Sequence, residues 1–358
     1  MSLPTSTKRA YLAVAPVKET NLDSASPDST FKVETVPIDL VNLKEGQIGV
    51  KSLFFSNDPT QRGFIQKGLK PEDTYAIPIR EGQTMSTYGL FEVVSSKSDK
   101  FQVGELVYGN AFWSEYSVIS EASVFNKVDP NAGLPLHYFM DIVGLTGLTA
   151  YFGLLKVGKI TSEDTVVISA ASGATGSNAV QFAKKIFGAK KVVGITGTDE
   201  KARAVEALGA DVGLNYNDKD FAEKLAAATD KKIDLYYDNV GGSILNTVLR
   251  SMSMWGRVVA CGSIAAYNDT SANVFSNWGA VTVKRLTVTG FIVIDFKENF
   301  GEAIQAIIGG LKAGTIKYEH GKPIDLVGHF EKVPETWGLL FDSSKKPFGK
   351  LISKIAEL

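Results

Sequence analysis

The chain is poor in the residues that hold metals and disulfides. Its 358 residues include one cysteine and three histidines. A single cysteine cannot form an intrachain disulfide or a four-thiolate zinc site, and His137, His320 and His329 are too far apart for a His-x-x-x-His or His-Glu-x-x-His motif. The serine nucleophile motif Gly-x-Ser-x-Gly is also missing. We therefore expect no metal, and we expect Cys261 to be a small apolar residue at the end of a buried strand.

Neither sign of charge dominates, and no hydrophobic run is long. The 38 basic and 39 acidic residues nearly cancel, and no basic block is present, which argues against nucleic acid as a partner. The apolar runs fall well short of the roughly 20 residues that cross a bilayer. The segment Met1–Arg9 lacks the apolar core of a signal peptide. These features predict a cytoplasmic protein that binds neither nucleic acid nor membranes.

A small-residue turn between an apolar strand and a helix is the most informative feature present. An apolar run at 166–171 leads into Ala170-x-x-Gly173-x-x-Gly176, and a helical pattern at 175–187 and a second apolar run at 191–196 follow. Strand, turn, helix and strand form the unit that binds dinucleotides. Small residues admit the pyrophosphate, Gly176 lets the helix approach the strand, and the helix N-terminus receives phosphates. The alternative is a βαβ unit whose turn binds nothing.

The residues after the second strand favour NADPH over NADH. NAD sites usually carry an acid about 20 residues beyond the glycines, but here the strand ends in Thr196-Gly197-Thr198. The acids Asp199-Glu200 fit the first turn of a new helix capped by Thr198. Lys201 is placed to reach a 2′-phosphate, and Tyr216 to lie along it. Alternatively, Lys201 is a solvated helix residue.

The pattern along the chain predicts an α/β protein of two domains. Short runs near 7–14, 31–38, 49–56, 88–95, 105–110 and 113–119 predict a β-rich barrel or sandwich. Strands near 166–171, 191–196, 212–215, 233–237, 256–261 and 286–293 then alternate with helices near 175–187, 199–208, 218–229 and 242–252, which predicts a doubly wound parallel sheet. Further helices are expected at 140–155 and 299–313, and strand-like pieces at 328–331 and 351–355. We expect the last 45 residues to complete the first domain. We expect the nicotinamide to enter a cleft at the carboxyl ends of the parallel strands.

Two polar segments follow late strands and carry the candidate chemistry. Asn239 is placed to bond a ribose, although Asp238–Gly241 alternatively forms a plain strand-to-helix cap. Tyr267 is the first candidate for catalysis. When a hydride is transferred to an acceptor that is conjugated to a carbonyl, negative charge gathers on the oxygen as an enolate. A phenol, with a pKa of about 10, is suited to stabilise or protonate that enolate. Tyr88 is the second candidate. The alternative for either tyrosine is a half-buried aromatic with a bonded hydroxyl.

With these motifs the chain resembles the zinc-independent medium-chain dehydrogenases/reductases, most of all the alkenal/one, prostaglandin reductase-like double-bond reductases. The segments that carry the resemblance are Asn57-Asp58-Pro59 with Arg62, Gly144–Tyr151, Ala170–Gly176, Gly197–Lys201, Tyr237–Gly242 and Gly256–Gly262 with Tyr267-Asn268. The resemblance implies a GroES-like catalytic domain at 1–131, completed by 314–358, and a Rossmann NADPH-binding domain at 132–313. It also implies a homodimer that reduces the C=C bond of α,β-unsaturated aldehydes and ketones, by hydride transfer to the β-carbon and protonation of the enolate.

The resemblance also implies roles for single residues. Lys201 and Tyr216 would hold the 2′-phosphate, Asn239 the nicotinamide ribose, and Tyr267 would lie beside the substrate carbonyl. With the catalytic candidates Tyr267 and Tyr88, the predicted cofactor-binding residues are Ala170, Gly173, Ala174, Thr175, Gly176, Thr196, Gly197, Lys201, Tyr216, Asn239, Cys261, Ser263, Tyr267, Phe291, Ile292 and Val293. The chain departs from the family at Thr60, usually tyrosine, and at Pro347, usually asparagine near the cofactor.

Three other functions remain open at this point. The same fold supports NADPH:quinone reduction and zinc-independent carbonyl reduction. A non-catalytic NADPH-binding protein is the alternative from a different class.

Overall fold

Two units make up the chain, each with its own core. The computed structural model describes residues 3–318, 321, 323–342 and 345–358, so His320 lies outside the described residues. One unit consists of Met1–Met140, Lys322–Pro347 and Leu351–Leu358, and the other of Asp141–Gly321 and Phe348–Lys350. The first division falls nine residues beyond the boundary predicted after residue 131, and the second falls eight residues beyond the one predicted after residue 313.

The first unit is built mainly from antiparallel strands. Its first 140 residues contain β1 (Ser6–Leu12), β2 (Phe31–Pro37), β3 (Gln47–Ser56), the short helix α1 (Gln61–Phe64), β4 (Ser86–Ser96), β5 (Leu106–Phe112), β6 (Tyr116–Ser120) and β7 (Val124–Val128). Alternate residues such as Ala10 and Leu12 point inward, as expected for strands with one covered face. The sequence patterns predicted β1 to β6 within a few residues and missed β7.

The second unit alternates strands and helices. Its elements are α2 (Leu145–Phe152), β8 (Thr165–Ile168), α3 (Ala174–Gln181), β9 (Lys191–Thr196), α4 (Asp199–Leu208), β10 (Val212–Asn215), α5 (Phe221–Ala228), β11 (Ile233–Asp238), α6 (Gly242–Ser251), β12 (Met252–Ala260), α7 (Gly279–Val283), β13 (Thr287–Gly290) and α8 (Phe300–Lys312). The strands are parallel and ordered β10-β9-β8-β11-β12-β13. The predicted doubly wound sheet is confirmed.

The C-terminal residues return to the first unit. They form β14 (Ile324–Asp325), α9 (Val333–Gly338) and β15 (Ile352–Lys354). Strand β15 pairs antiparallel with β3, so the sheet runs β14-β15-β3-β4-β5-β7, with β6 also paired to β3. The strand predicted at 328–331 is wrong, because this region turns into the 3₁₀ segment Phe330–Lys332, whose Phe330 is buried in the core.

Exposed apolar side chains are frequent in β12, in β13 and in the segment that joins them. In the described part of the chain, β13 has a strand neighbour, β12, on one side only. The large apolar side chains exposed in this stretch are Met254, Trp255, Val274, Trp278, Val283 and Val288. We call these six residues the β13 patch. Such an edge is a template for pairing with another strand. None of the helices in the described ranges is long and apolar enough to cross a membrane.

Candidate dinucleotide-binding site

The strand register brings the predicted cofactor residues to one edge of the parallel sheet. Ile168 at the end of β8 lies opposite Gly194 of β9 and Tyr237 of β11. Ala260 at the end of β12 lies opposite Asp238 and Gly290. The segments that follow these strands therefore start at the same, carboxyl edge, where doubly wound sheets bind ligands.

The turn after β8 depends on two unusual backbone features. Ala170 has a φ of 46°, in the left-handed region that side chains rarely adopt, and its carbonyl accepts a hydrogen bond from the N–H of Gly173 at 2.8 Å. A Cβ on Gly176 would lie 2.2 Å from the carbonyl oxygen of Ala170. The close approach predicted at Gly176 is therefore present, and it excludes any side chain there.

Helix α3 presents its N-terminus at this turn. The backbone N–H groups of Ala174, Thr175 and Gly176 form its first turn, and the N-cap residue, Gly173, provides no side-chain cap. Uncapped N–H groups at the positive end of the helix dipole suit an anion. This arrangement is able to hold the pyrophosphate of a dinucleotide.

A segment from the end of the chain braces the same turn. The N–H of Gly349 donates to the carbonyl of Ser172 at 2.8 Å, and Gly349 forms a parallel bridge with Gly173. On the other side, Ala171 N–H donates to the carbonyl of Ile195 at 2.9 Å. Sequence reasoning missed the contribution of Gly349, because no local pattern links residues so distant in the chain. Pro347, one of the two departures from the family, directly precedes this segment.

The adenosine side of the predicted site lies after β9 and β10. The Thr198 hydroxyl accepts from the N–H of Lys201 at 3.2 Å, which confirms the predicted cap of α4. Tyr216 lies against Gly197, where a Cβ would be 3.2 Å from its hydroxyl oxygen. Gly197 and Tyr216 thus lie together at the end of β9, where the Thr196 carbonyl accepts the N–H of Tyr216 at 2.9 Å. Lys201 lies in the first turn of α4.

A buried carboxylate organises the loop after β11. Oδ1 of Asp238 accepts from the N–H groups of Val240 and Gly241, both at 3.0 Å, and from the hydroxyls of Tyr236 at 2.8 Å and Ser169 at 3.1 Å. Burial raises the pKa of Asp238, while these hydrogen bonds lower it. Asp238 therefore holds the loop before α6 and does not cap this helix, whose N-cap residue, Gly241, makes no side-chain cap hydrogen bond. The predicted site did not include Asp238.

Asn239 is held by the same group. Its Nδ2 donates to the carbonyl of Ser169 at 2.8 Å, and its N–H donates to the Ser169 hydroxyl at 2.9 Å. Ser169 was not among the predicted residues, because the strand predicted at 166–171 included it, whereas β8 ends at Ile168. The amide of Asn239 is thereby fixed at the carboxyl edge, beside the turn that the phosphate is expected to occupy.

The loop after β12 carries Cys261, Ser263 and Tyr267. The N–H groups of Cys261 and Gly262 donate to the carbonyl of Asp238 at 2.9 and 3.1 Å. The Cys261 thiol lies 3.5 Å from the hydroxyl of Tyr237, and burial raises its pKa to about 12. Cys261 directly follows β12, as predicted, and is half-buried.

The hydroxyl of Tyr267 lies over this loop. Ser263 N–H donates to the Tyr267 hydroxyl oxygen at 3.5 Å, and a Cβ on Gly262 would lie 3.1 Å from that oxygen. Tyr267 is half-buried. The loop therefore holds the phenol at the carboxyl edge, with a backbone donor at its oxygen.

Phe291, Ile292 and Val293 follow β13 and are half-buried. The Phe291 ring packs near α2, where a Cβ on Gly153 would lie 2.9 Å from it. These residues also begin at the carboxyl edge, so every predicted cofactor residue lies in the second unit and at that edge.

Tyr88, the second catalytic candidate, belongs to the first unit. It lies on β4, half-buried, with its ring 5.6 Å from that of Phe125. Burial, with smaller contributions from Asp58 and Tyr75, raises the pKa of Tyr88 to about 12. Its phenol therefore keeps its proton at neutral pH. Thr60, the other departure from the family, is the N-cap residue of α1 in the same unit.

The residues at the carboxyl edge fit a dinucleotide. The turn at Gly173–Gly176 is lined by backbone, as close approach of a pyrophosphate requires. The Ser263 hydroxyl oxygen is buried and has no hydrogen-bond partner among the described residues, which suits a polar ligand group. No group of three or more His, Cys, Asp or Glu side chains in the described ranges is arranged to hold a metal ion.

Two family models match the chain. The family model "Zinc-binding dehydrogenase" matches residues 174–308, and "N-terminal domain of oxidoreductase" matches residues 18–128. The first match lies in the second unit and the second match in the first unit. The chain belongs to the zinc-independent medium-chain dehydrogenases/reductases.

Individual members of this family are similar over most of their length. A 2-alkenal reductase (NADP(+)-dependent) of Nicotiana tabacum is 34% identical, over 85% of this chain and 90% of the relative. Prostaglandin reductase 1 of Oryctolagus cuniculus is 34% identical, over 86% of this chain and 84% of the relative. The crystal structure of CurA from Vibrio vulnificus in complex with NADPH has a TM-score of 0.83 at 28% identity, covering 98% of this chain and 100% of that one.

Proposed function

We propose that this protein is an NADPH-dependent reductase of the C=C bond of α,β-unsaturated aldehydes and ketones. The observation that carries the proposal is the Tyr267 phenol at the carboxyl edge of a dinucleotide-binding sheet. The 2-alkenal reductase and prostaglandin reductase relatives support the reaction class, and the NADPH-bound CurA structure supports the cofactor.

The residues after β9 support NADPH over NADH. The acids Asp199-Glu200 belong to the first turn of α4, and the side chain of Asp199 accepts from Asn215 Nδ2 at 2.9 Å. In NAD sites an acid usually accepts a hydrogen bond from the ribose 2′-hydroxyl. Here the Asp199 carboxylate is bonded to Asn215 instead. We assign the 2′-phosphate to Lys201 and Tyr216, and the nicotinamide ribose to Asn239.

The chain's own contribution to the reaction is positioning and proton control. When bound, NADPH supplies a hydride to the β-carbon of the substrate. The carbonyl oxygen then gathers negative charge, and we assign its stabilisation to the Tyr267 hydroxyl. The Ser263 N–H donates to the phenol oxygen at 3.5 Å and helps to hold it at the carboxyl edge. We also assign to Tyr267 the donation of the proton to the enolate.

The first test compares acceptors with purified protein. Loss of reduced-nicotinamide absorbance is followed with a medium-chain 2-alkenal, a quinone and a saturated ketone, each with NADPH and with NADH. We expect turnover of the 2-alkenal with NADPH and a saturated aldehyde as product, identified by mass and NMR. An allylic alcohol would instead indicate carbonyl reduction, and turnover of the quinone alone would indicate a quinone reductase. NADPH binding without turnover of any acceptor would favour a non-catalytic role.

Replacing Tyr267 with phenylalanine tests the proton donor. We expect kcat for the 2-alkenal to fall about 100-fold, within the range that general acid catalysis contributes, while the Kd for NADPH changes less than about twofold, because the phenol acts on the substrate. Tyr11→Phe, in β1, is the matched control and should leave both values unchanged. Unchanged turnover in Tyr267→Phe would contradict the assignment.

Replacing Lys201 with alanine tests the choice of cofactor. We expect the Kd for NADPH to rise about tenfold, because charge-assisted hydrogen bonds contribute about 1.5–3 kcal/mol, and the Kd for NADH to remain unchanged. Lys312→Ala, an exposed lysine in the last turn of α8, is the control. An equal rise for both cofactors in Lys201→Ala would mean that Lys201 does not bind the 2′-phosphate.

We further propose that the protein forms a homodimer through the β13 patch. Its six side chains are between 39% and 69% exposed, and they offer part of the about 800 Å² per partner that a stable interface needs. Antiparallel pairing of β13 with its copy supplies the rest and satisfies the free strand edge. Light scattering should give twice the chain mass of 38.6 kDa, and Val288→Lys should reduce it to the monomer. A wild-type monomer would contradict the dimer.

A cytoplasmic location stays a prediction.

A further inference from the structure

A buried carboxylate outside the proposed chemistry lies at the start of the second unit. Asp141 is 1% exposed, and its Oδ1 accepts from the Thr146 hydroxyl at 2.6 Å and from Asn178 Nδ2 at 2.9 Å. Burial raises the pKa of Asp141, while Thr146, the charge of Lys350, Asn178 and Tyr318 lower it. Lys350 is itself 3% exposed. Asp141 and Lys350 are thus two buried charged groups that interact electrostatically, and Asp141 is bonded to helix α3 through Asn178.

Helix α3 is held along one face by buried amide side chains. Asn178 binds Asp141, and Gln181, one turn further along, binds the backbone of Lys317 in both directions. Gln181 Nε2 donates to the Lys317 carbonyl at 2.9 Å, and Lys317 N–H donates to Gln181 Oε1 at 2.8 Å. Both amide side chains are nearly inaccessible. The direction of the helix is therefore set by polar contacts with other segments of the unit.

These contacts are made by the segments at which the chain enters and leaves the unit. Asp141 is its first residue, Lys317 lies just before its main segment ends at Gly321, and Lys350 ends the returning piece. A Cβ on Gly321 would lie 2.5 Å from the Tyr318 hydroxyl and 3.2 Å from the Lys350 carbonyl, so these segments also pack on each other. Gly349, next to Lys350, braces the turn at Ser172.

A buried acid and base add little stability, because desolvation offsets their attraction. Their value lies in fixing one arrangement, since an unpaired charge in any other arrangement is costly. The phosphate-binding end of α3 needs such precision, because a binding group must be held within about 0.5 Å of its working position. The pair is therefore suited to orienting the helix.

We propose that Asp141 is a positioning residue for the pyrophosphate of the bound cofactor, acting through Asn178 on helix α3 and with Lys350 on the segment that braces Ser172. This inference rests on the proposed NADPH binding. It assigns Asp141 no contact with the cofactor. Replacing Asp141 should therefore weaken binding of the pyrophosphate and leave binding of the distant 2′-phosphate unchanged.

The test measures binding to Asp141→Asn by calorimetry, with NADPH, NADH and adenosine 2′-monophosphate, which has a 2′-phosphate and no pyrophosphate. We expect the Kd to rise about tenfold for NADPH and for NADH, as when one buried hydrogen-bonded charge is disrupted. The Kd for adenosine 2′-monophosphate should stay within about twofold of the wild-type value, because Lys201 and Tyr216 are unaffected.

Asp164→Asn is the matched control. Asp164 is 6% exposed and ion-paired with Arg257 at 2.5 Å, but it precedes β8 at the opposite end of the sheet. This variant should lower the melting temperature and leave all three Kd values unchanged. If Asp141→Asn does not fold, Asn178→Ala carries the test, with the same expected pattern.

The outcomes separate this proposal from the cofactor assignment. An unchanged NADPH Kd in a folded Asp141→Asn variant, or an equal rise for adenosine 2′-monophosphate, would overturn the positioning role. Wild-type protein that binds no NADPH would overturn the proposed function instead.

Discussion

Helix α3 can lie against the end of strand β8 only because residue 176 has no side chain. With a Cβ 2.2 Å from the Ala170 carbonyl, helix or turn would have to move. The consequences reach beyond the turn. The close contact sets where the N–H groups of Ala174 to Gly176 point, and it brings Asn178 and Gln181 to their buried partners. The shape of the phosphate-binding end follows from this one steric limit.

The other half of the site depends on one carboxylate. Asp238 collects four donors on a single oxygen and so fixes the loops after β8 and β11. Its backbone carbonyl accepts from Cys261 and Gly262, which extends the order to the loop beneath Tyr267. The expected nicotinamide side is thus organised by hydrogen bonds between strand ends, and the phosphate side by backbone close packing.

Much of the second unit was predictable from the sequence. The predicted bounds of β9, β10 and α4 match the structure. Strand β9 is an apolar run and helix α4 an amphipathic one, and each is followed directly by a glycine, Gly197 and Gly209. The first unit was predicted less well. Strand β7 is partly exposed and short, with Phe125 on its outer side, and α9 lies in a stretch without helical periodicity.

The site shows the same division. Glycine spacing predicted the turn at Ala170–Gly176, and the positions of strand ends predicted Asn239 and Tyr267. All three predictions depend only on residues that are neighbours in the sequence. Ser169, Asp141 and Gly349 were missed because their partners lie 37 to 177 residues away, as between Asp141 and Asn178 or Ser172 and Gly349. Contacts at such separations leave no local periodicity, and only the folded topology reveals them.

The pair formed by Cys261 and Tyr237 has a chemical consequence. Michael addition to an unsaturated carbonyl requires a thiolate. Burial raises the pKa of Cys261 to about 12, so the thiol keeps its proton at neutral pH. The hydroxyl of Tyr237 beside it is anchored on the carbonyl of Thr149 at 2.8 Å. For the electrophiles proposed as substrates, the single cysteine of the chain is therefore a poor nucleophile at neutral pH.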